Sequence, residues 1–177
     1  MWVNGVGSGF RPSAQSLSLQ LGASVGVLVL GGVQYHDLAL ASLSYGHMLG
    51  PVRFDDHWWR GNLELRGEVF GGEQFSPSQT WLVGFAPHLR YNFITGTRIV
   101  PYFDIGMGLA WTGIGVPDLG GTFEFNLQAL GGAHWFIQDN LAITTDVRYL
   151  HISSGGIHNP NLGVNTILGT IGVSWFF

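Results

Sequence analysis

Between Asn62 and Val69 the chain changes character at every step. Leu63, Leu65, Gly67 and Val69 alternate with Asn62, Glu64, Arg66 and Glu68. Side chains along a strand point alternately to its two faces, with a period of two. This stretch therefore reads as a strand with one apolar and one charged face, and a charged face needs water or a partner of opposite sign.

The same rhythm recurs along the chain. A strand over about 14–27 turns Leu17, Leu19, Leu21, Ala23, Val25 and Val27 one way and Ser16, Ser18, Gln20, Gly22 and Ser24 the other. Later strands set Val83, Phe85, Pro87, Leu89, Tyr91 and Phe93 against His88, Arg90 and Asn92, and Phe103, Ile105, Met107, Leu109 and Trp111 against Asp104, Gly106 and Gly108. Phe123, Phe125, Leu127 and Trp135 oppose Glu124, Asn126, Gln128 and His134. The last two strands carry Leu141, Ile143, Thr145, Val147 and Tyr149, then Ile167, Ile171, Val173, Trp175 and Phe177, on their apolar side. A strand at about 34–46 is less regular, because Leu38 and Leu40 are out of phase with Leu43 and Tyr45; a bulge or a partly apolar interior would account for it. The total is eight.

Eight antiparallel strands with an apolar outside close into a small transmembrane β-barrel whose interior is filled by side chains rather than forming a pore. The expected fold is all-β, one domain over 1–177, with 1–13 as a periplasmic lead-in. Composition agrees: 46% hydrophobic, 10% charged, with no apolar run long enough for a membrane helix. A lipocalin-type soluble barrel is disfavoured by the long runs of outward aromatics, the low charge and the terminal Phe177. The chain lacks cysteine, which suits an envelope location, and Met1-Trp2-Val3 looks like the start of a mature chain whose signal peptide has been removed. Seven Arg residues, no Lys and a net charge of −4 leave no basic patch for nucleic acid.

Glu64, Arg66, Glu68, Arg90, Asp104, Glu124, Asp146 and Arg148 share the inner phase, where opposite signs can pair. Ile94–Thr97 and Ile137–Asn140 read as tight periplasmic turns. Gly71–Thr80, Thr112–Thr122 and Ser154–Val164 read as longer extracellular loops, and Gly50–Gly61 as an exceptional long periplasmic connection with Phe54, Trp58 and Trp59 at the interface. His47, His57 and His134 lack metal-ligand spacing, Asp55-Asp56-His57 reads as a solvated turn, and no cofactor is called for.

One pair breaks the apolar outer stripe. His151 and Ser153 lie on the outward face at the extracellular rim, close enough for imidazole to act as base toward the hydroxyl. Asn165 opens the next strand in the same phase and can orient the imidazole. The intervening Gly155-Gly156 and Asn159–Gly163 can supply N–H groups to an oxyanion, so Gly155 and Asn161 are the candidates there.

The run Arg148-Tyr149-Leu150-His151-Ile152-Ser153-Ser154-Gly155-Gly156-Ile157, with Pro160-Asn161-Leu162-Gly163 and Asn165, resembles the PagL-type lipid A 3-O-deacylases, also called acyloxyacyl hydrolase-like barrels; Gly61–Glu68 resembles the same family. That resemblance implies an outer-membrane esterase acting on lipopolysaccharide, with Ser153 as nucleophile, His151 as base and Asn161 at the oxyanion site. Its site would lie in the extracellular leaflet, and its partners would be lipid A and membrane lipid. Members carry a glutamate at the third triad position, where this chain has Asn165. The alternative is a structural or accessory barrel that has lost the acid. Whether the barrel acts alone, as a homo-oligomer or within a larger envelope assembly is left open by the sequence.

Overall fold

The computed structural model describes residues 2–3 and 6–177. Two short strands, β1 (Trp2–Val3) and β2 (Val6–Gly7), pair antiparallel ahead of a single turn of 3-10 helix at Ser8–Phe10. Eight longer strands follow: β3 (Gln15–Gly26), β4 (Asp37–Met48), β5 (Gly61–Ser76), β6 (Thr80–Phe93), β7 (Ile99–Thr112), β8 (Phe123–Phe136), β9 (Leu141–Ser153) and β10 (Val164–Phe176). Each pairs antiparallel with its neighbour in sequence. β10 returns to β3 with register from Thr166↔Gly26 to Phe176↔Ser16, so the barrel is closed.

The expected alternation is realised strand by strand. Odd residues of β3 and β4, such as Leu19, Leu21, Leu43 and Tyr45, stand exposed on the outer wall, while Ser16, Ser18, Gln20 and Ser44 are buried inside. Leu38 and Leu40 keep the inner phase and are buried. The phase of β4 thus runs unbroken through the strand, and the interior is apolar at that end; the one register shift sits between Asp37 and Leu38.

The interior has three layers. At the end carrying both termini, Phe10, Met48, Phe136 and Phe176 pack together, with Phe10 5.3 Å from Phe176 and 5.6 Å from Phe136 between ring centroids. Phe10, from the lead-in, thus plugs this end of the barrel. At the opposite end Leu38, Leu82, Leu119, Ile152 and Val164 form a second apolar cluster. Between them lies the charged layer. Asp104 accepts from Arg66 at 2.5 Å and from Arg90 at 3.0 Å, with His88 Nδ1 at 2.7 Å. Glu68 accepts from Arg148 at 2.5 Å, and Asp146 from Gln20 at 2.9 Å and Tyr102 at 3.1 Å. The Arg90 guanidinium also lies 3.7 Å from the centre of the Tyr102 ring.

The connections differ from expectation in one place. Gly71 and Gly72 read as the start of a loop, yet β5 and β6 continue past them to Ser76 and from Thr80, leaving only 77–79 as the turn. A Cβ at Gly72 would sit 2.0 Å from the Ala39 carbonyl oxygen. Glycine there allows close approach of β4 and β5; it does not break the strand. The connection 49–60 is long, as expected; Asp55 pairs with Arg60 at 2.8 Å, His57 stacks on Trp59 at 4.5 Å, and Phe54, Trp58 and Trp59 are exposed.

Asp104 is the hinge of the charged layer. Asp104→Ala leaves two guanidiniums facing each other without their shared counter-ion, a loss of about 3–5 kcal/mol by the usual cost of breaking a buried pair. Urea unfolding of the refolded barrel, followed by tryptophan fluorescence, measures it against the parent.

Candidate active site

β9 ends on the outer wall with His151 and Ser153 two residues apart, both half-buried. Their side chains meet: His151 Nε2 lies 3.0 Å from Ser153 Oγ. Across the ladder Asn165 is the register partner of His151, and its Oδ1 lies 2.7 Å from His151 Nδ1. The three residues picked out by phase thus form a continuous hydrogen-bonded chain.

The orientation of the Asn165 amide is determined by its other neighbours. Its Nδ2 donates to the Val29 carbonyl at 2.8 Å, and its Oδ1 accepts from the Tyr149 hydroxyl at 2.5 Å. A backbone carbonyl only accepts, so the amide nitrogen must face Val29 and the oxygen must face His151. That oxygen requires a donor. A neutral His151 therefore carries its proton on Nδ1 and offers the lone pair of Nε2 to the Ser153 hydroxyl, the tautomer a general base needs.

Asn165 has the outward phase expected of it but is 2% exposed, because the connection 27–36 lies over it. Val27 N–H donates to the Asn165 carbonyl at 2.9 Å, and the Gly32 Cα approaches so closely that a Cβ there would be 3.2 Å from Asn165 Nδ2. On the other side, Gly163 (φ +83°) abuts the imidazole; a Cβ would come within 2.8 Å of His151 Cε1.

Beyond Ser153 the chain turns through Gly155 and Gly156, both in the left-handed region at φ +62° and +89°. Asn161 reaches back to this turn: its Oδ1 accepts from Ser154 N–H at 2.7 Å and from the Ser154 hydroxyl at 3.0 Å. Its side-chain oxygen thus braces the turn that follows Ser153. His158 is half-buried, and its ring crowds Gly121 in the connection 113–122. Asp146 points inward to Gln20 and Tyr102.

Below the triad the outer wall is apolar and dished. Leu65, Leu89, Ile105, Ala129 and Tyr149 stand in one row across β5 to β9, each opposite the next. The small side chain of Ala129, with Pro87 and Gly106 nearby, leaves a depression of about 600 Å³ that ends at Leu127 and Tyr149. Leu127 is the register partner of His151, so the depression runs up to the foot of the site.

The model of the family described as "Lipid A 3-O-deacylase (PagL)" matches residues 39–174. The chain belongs to the PagL family. Its structure is similar to the crystal structure of the outer membrane enzyme PagL, at 21% identity over 86% of this chain and 97% of that one, with a TM-score of 0.61. Neisserial surface protein A matches at 20% identity over 93% and 99% of the two chains, TM-score 0.68. Ail, the attachment invasion locus protein of Yersinia pestis, matches at 12% over 94% and 100%, TM-score 0.56. These similarities give the fold, an outer-membrane β-barrel. A search of the curated proteins finds no match.

Residue order does not reveal Tyr149 or Val29 as partners of Asn165, or the contact of Gly163, already part of the loop motif, with the imidazole. Tyr149 shares the parity of His151, but it stands in the apolar stripe, where phase alone gives its hydroxyl no separate role. Val29 acts through its carbonyl, which leaves no trace in residue type, from 136 positions away.

Gly163→Ala should push the imidazole off Ser153 while the barrel still folds, since the residue lies at the wall's edge. Labelling of Ser153 by a lipophilic fluorophosphonate reads this directly. The parent should label, Ser153→Ala should not, and Gly163→Ala should label at least about tenfold more slowly, in keeping with the sensitivity of such chemistry to roughly 1 Å displacements.

Proposed function

We infer that this PagL-family barrel is a lipid A deacylase that hydrolyses an ester-linked acyl chain of lipopolysaccharide at a lipid-facing Ser153–His151–Asn165 site in the extracellular leaflet. The observation that carries this reading is the hydrogen-bonded chain from Asn165 through His151 to Ser153, set on the outer wall of a barrel whose family deacylates lipid A.

The acyl chain lies in the apolar depression beside Tyr149 and Leu127, with its ester carbonyl raised to Ser153. His151 Nε2 takes the hydroxyl proton as Ser153 Oγ attacks the carbonyl carbon. The oxyanion is received by the N–H of Gly155 and the Asn161 amide nitrogen, positioned by the left-handed turn and by Asn161's bond to Ser154. Collapse breaks the ester bond, and the sugar hydroxyl leaves with the proton returned from His151. A water, deprotonated by the same imidazole, then cleaves the acyl-Ser153 ester to free fatty acid and restores the hydroxyl. The sequence calls for no cofactor in these steps. Asn165 supplies orientation without charge, so the imidazolium formed in each half-reaction is less stabilised than beside a carboxylate.

Asn165 also favours a second reading, a barrel that keeps the scaffold and serves a structural role. Mass spectrometry of lipid A after incubation with the refolded barrel separates the two. The parent should remove one hydroxyacyl mass, Ser153→Ala should reduce the rate by at least about 10³-fold, and Asn165→Glu should raise it. Silence of the parent together with activity of Asn165→Glu would establish the retired enzyme.

A further inference from the structure

Above the site, three connections meet at one buried residue, Asp118. Asp118, in the connection 113–122, is 0% exposed. Its Oδ1 accepts from Val33 N–H at 2.9 Å, and its Oδ2 from Gln34 N–H at 3.1 Å. Oδ2 also lies 2.8 Å from His36 Nε2, while His36 Nδ1 lies against the Gln74 amide oxygen at 2.5 Å. The Asp118 backbone carbonyl accepts from Leu162 N–H at 2.9 Å and Gly163 N–H at 3.2 Å. Next to it, Leu119 pairs with Asn161 as an isolated bridge. One residue therefore ties the connection 27–36 to the connection 154–163.

Both tied segments bear on the triad. The first delivers the Val29 carbonyl to Asn165 Nδ2. The second delivers Gly163 against the His151 ring. The Val29 contact matters because Asn165 is an amide. A carboxylate presents an acceptor whichever way it turns; an amide presents an acceptor one way and two donors the other. Flipped, Asn165 would offer N–H to His151 Nδ1, draw the imidazole proton to Nε2 and remove the base.

We propose that Asp118 is a positioning residue: by clamping the connection 27–36 over Asn165 it holds the Val29 carbonyl in place, and this fixes the amide orientation that lets an asparagine serve in the triad. The proposal rests on the deacylase reading of the site, and it names the device that makes the asparagine workable.

A double-mutant cycle distinguishes this role from general support of the loops. Asp118→Ala in the parent should lower kcat for lipid A deacylation roughly tenfold or more, within the ~10⁴-fold ceiling set by a wrong-tautomer triad, and leave KM near its parent value. In the Asn165→Glu background, where no flip exists, the same Asp118→Ala change should cost under about twofold. Equal losses in both backgrounds would overturn the proposal, because a loop-supporting residue costs the same whatever side chain sits at 165. His36→Gln, which leaves the Asp118 bonds to Val33 and Gln34 in place, should be milder than Asp118→Ala. Heat-modifiable electrophoretic mobility confirms that each variant has folded as a barrel. Nitrogen-15 NMR of the His151 ring, assigned with His151→Gln, tests the clamp without turnover. The parent should show the Nδ1–H tautomer and Asp118→Ala a mixture containing Nε2–H. An unchanged tautomer in Asp118→Ala would sink the clamp, whereas a parent that keeps Nδ1–H yet releases no acyl chain would sink the deacylase reading alone.

Discussion

Inside a bilayer no water is available to the backbone, so every peptide N–H and C=O crossing the hydrocarbon must find its partner within the protein. The β10–β3 seam meets that requirement here. It pairs the last strand with the first barrel strand from Thr166↔Gly26 to Phe176↔Ser16 and leaves no free edge. Closure in turn creates an inside filled by side chains, with every second residue of eight strands lining it. Those residues are therefore obliged to satisfy one another. Arg66, Arg90 and His88 around Asp104, and Arg148 on Glu68, are the outcome.

The wall that results is stiff, and the site uses that stiffness. Ladder register puts His151 opposite Asn165 and Leu127, and Ser153 opposite Phe125, so the relative heights of His151, Asn165 and Ser153 are fixed by backbone pairing rather than by loops. What loops add is closure over one side. The connection 27–36 covers Asn165 and removes it from lipid, which would not tolerate an unsatisfied amide. Ser153 and His151 stay half-buried on the outer wall, at the edge of that cover.

Much of this was legible in residue order because a strand's two faces demand different solvents. The strict alternation of Asn62–Val69 identifies a wall strand whatever its neighbours, and the same parity argument puts His151, Ser153 and Asn165 on one face. Parity fails where residue type and role part company. The stretch from Gly71 to Thr80 reads as a loop, while Gly72 in fact lets Ala39 come close within the ladder. Phe10 looked like part of a lead-in, yet its ring fills the barrel mouth against Phe136 and Phe176.

The sequence by itself determined the eight-strand alternation, the charged inner face, the shared outward phase of His151, Ser153 and Asn165, and the family resemblance, since each is a matter of local spacing and side-chain chemistry. Only the tertiary structure decided which way the Asn165 amide faces and what covers it. Those depend on the Val29 carbonyl and on Asp118, groups 136 and 47 positions from Asn165 along the chain, brought together by barrel closure and loop packing. A carbonyl's position in space has no signature in the residue that bears it, so no reading of residue order could have supplied it.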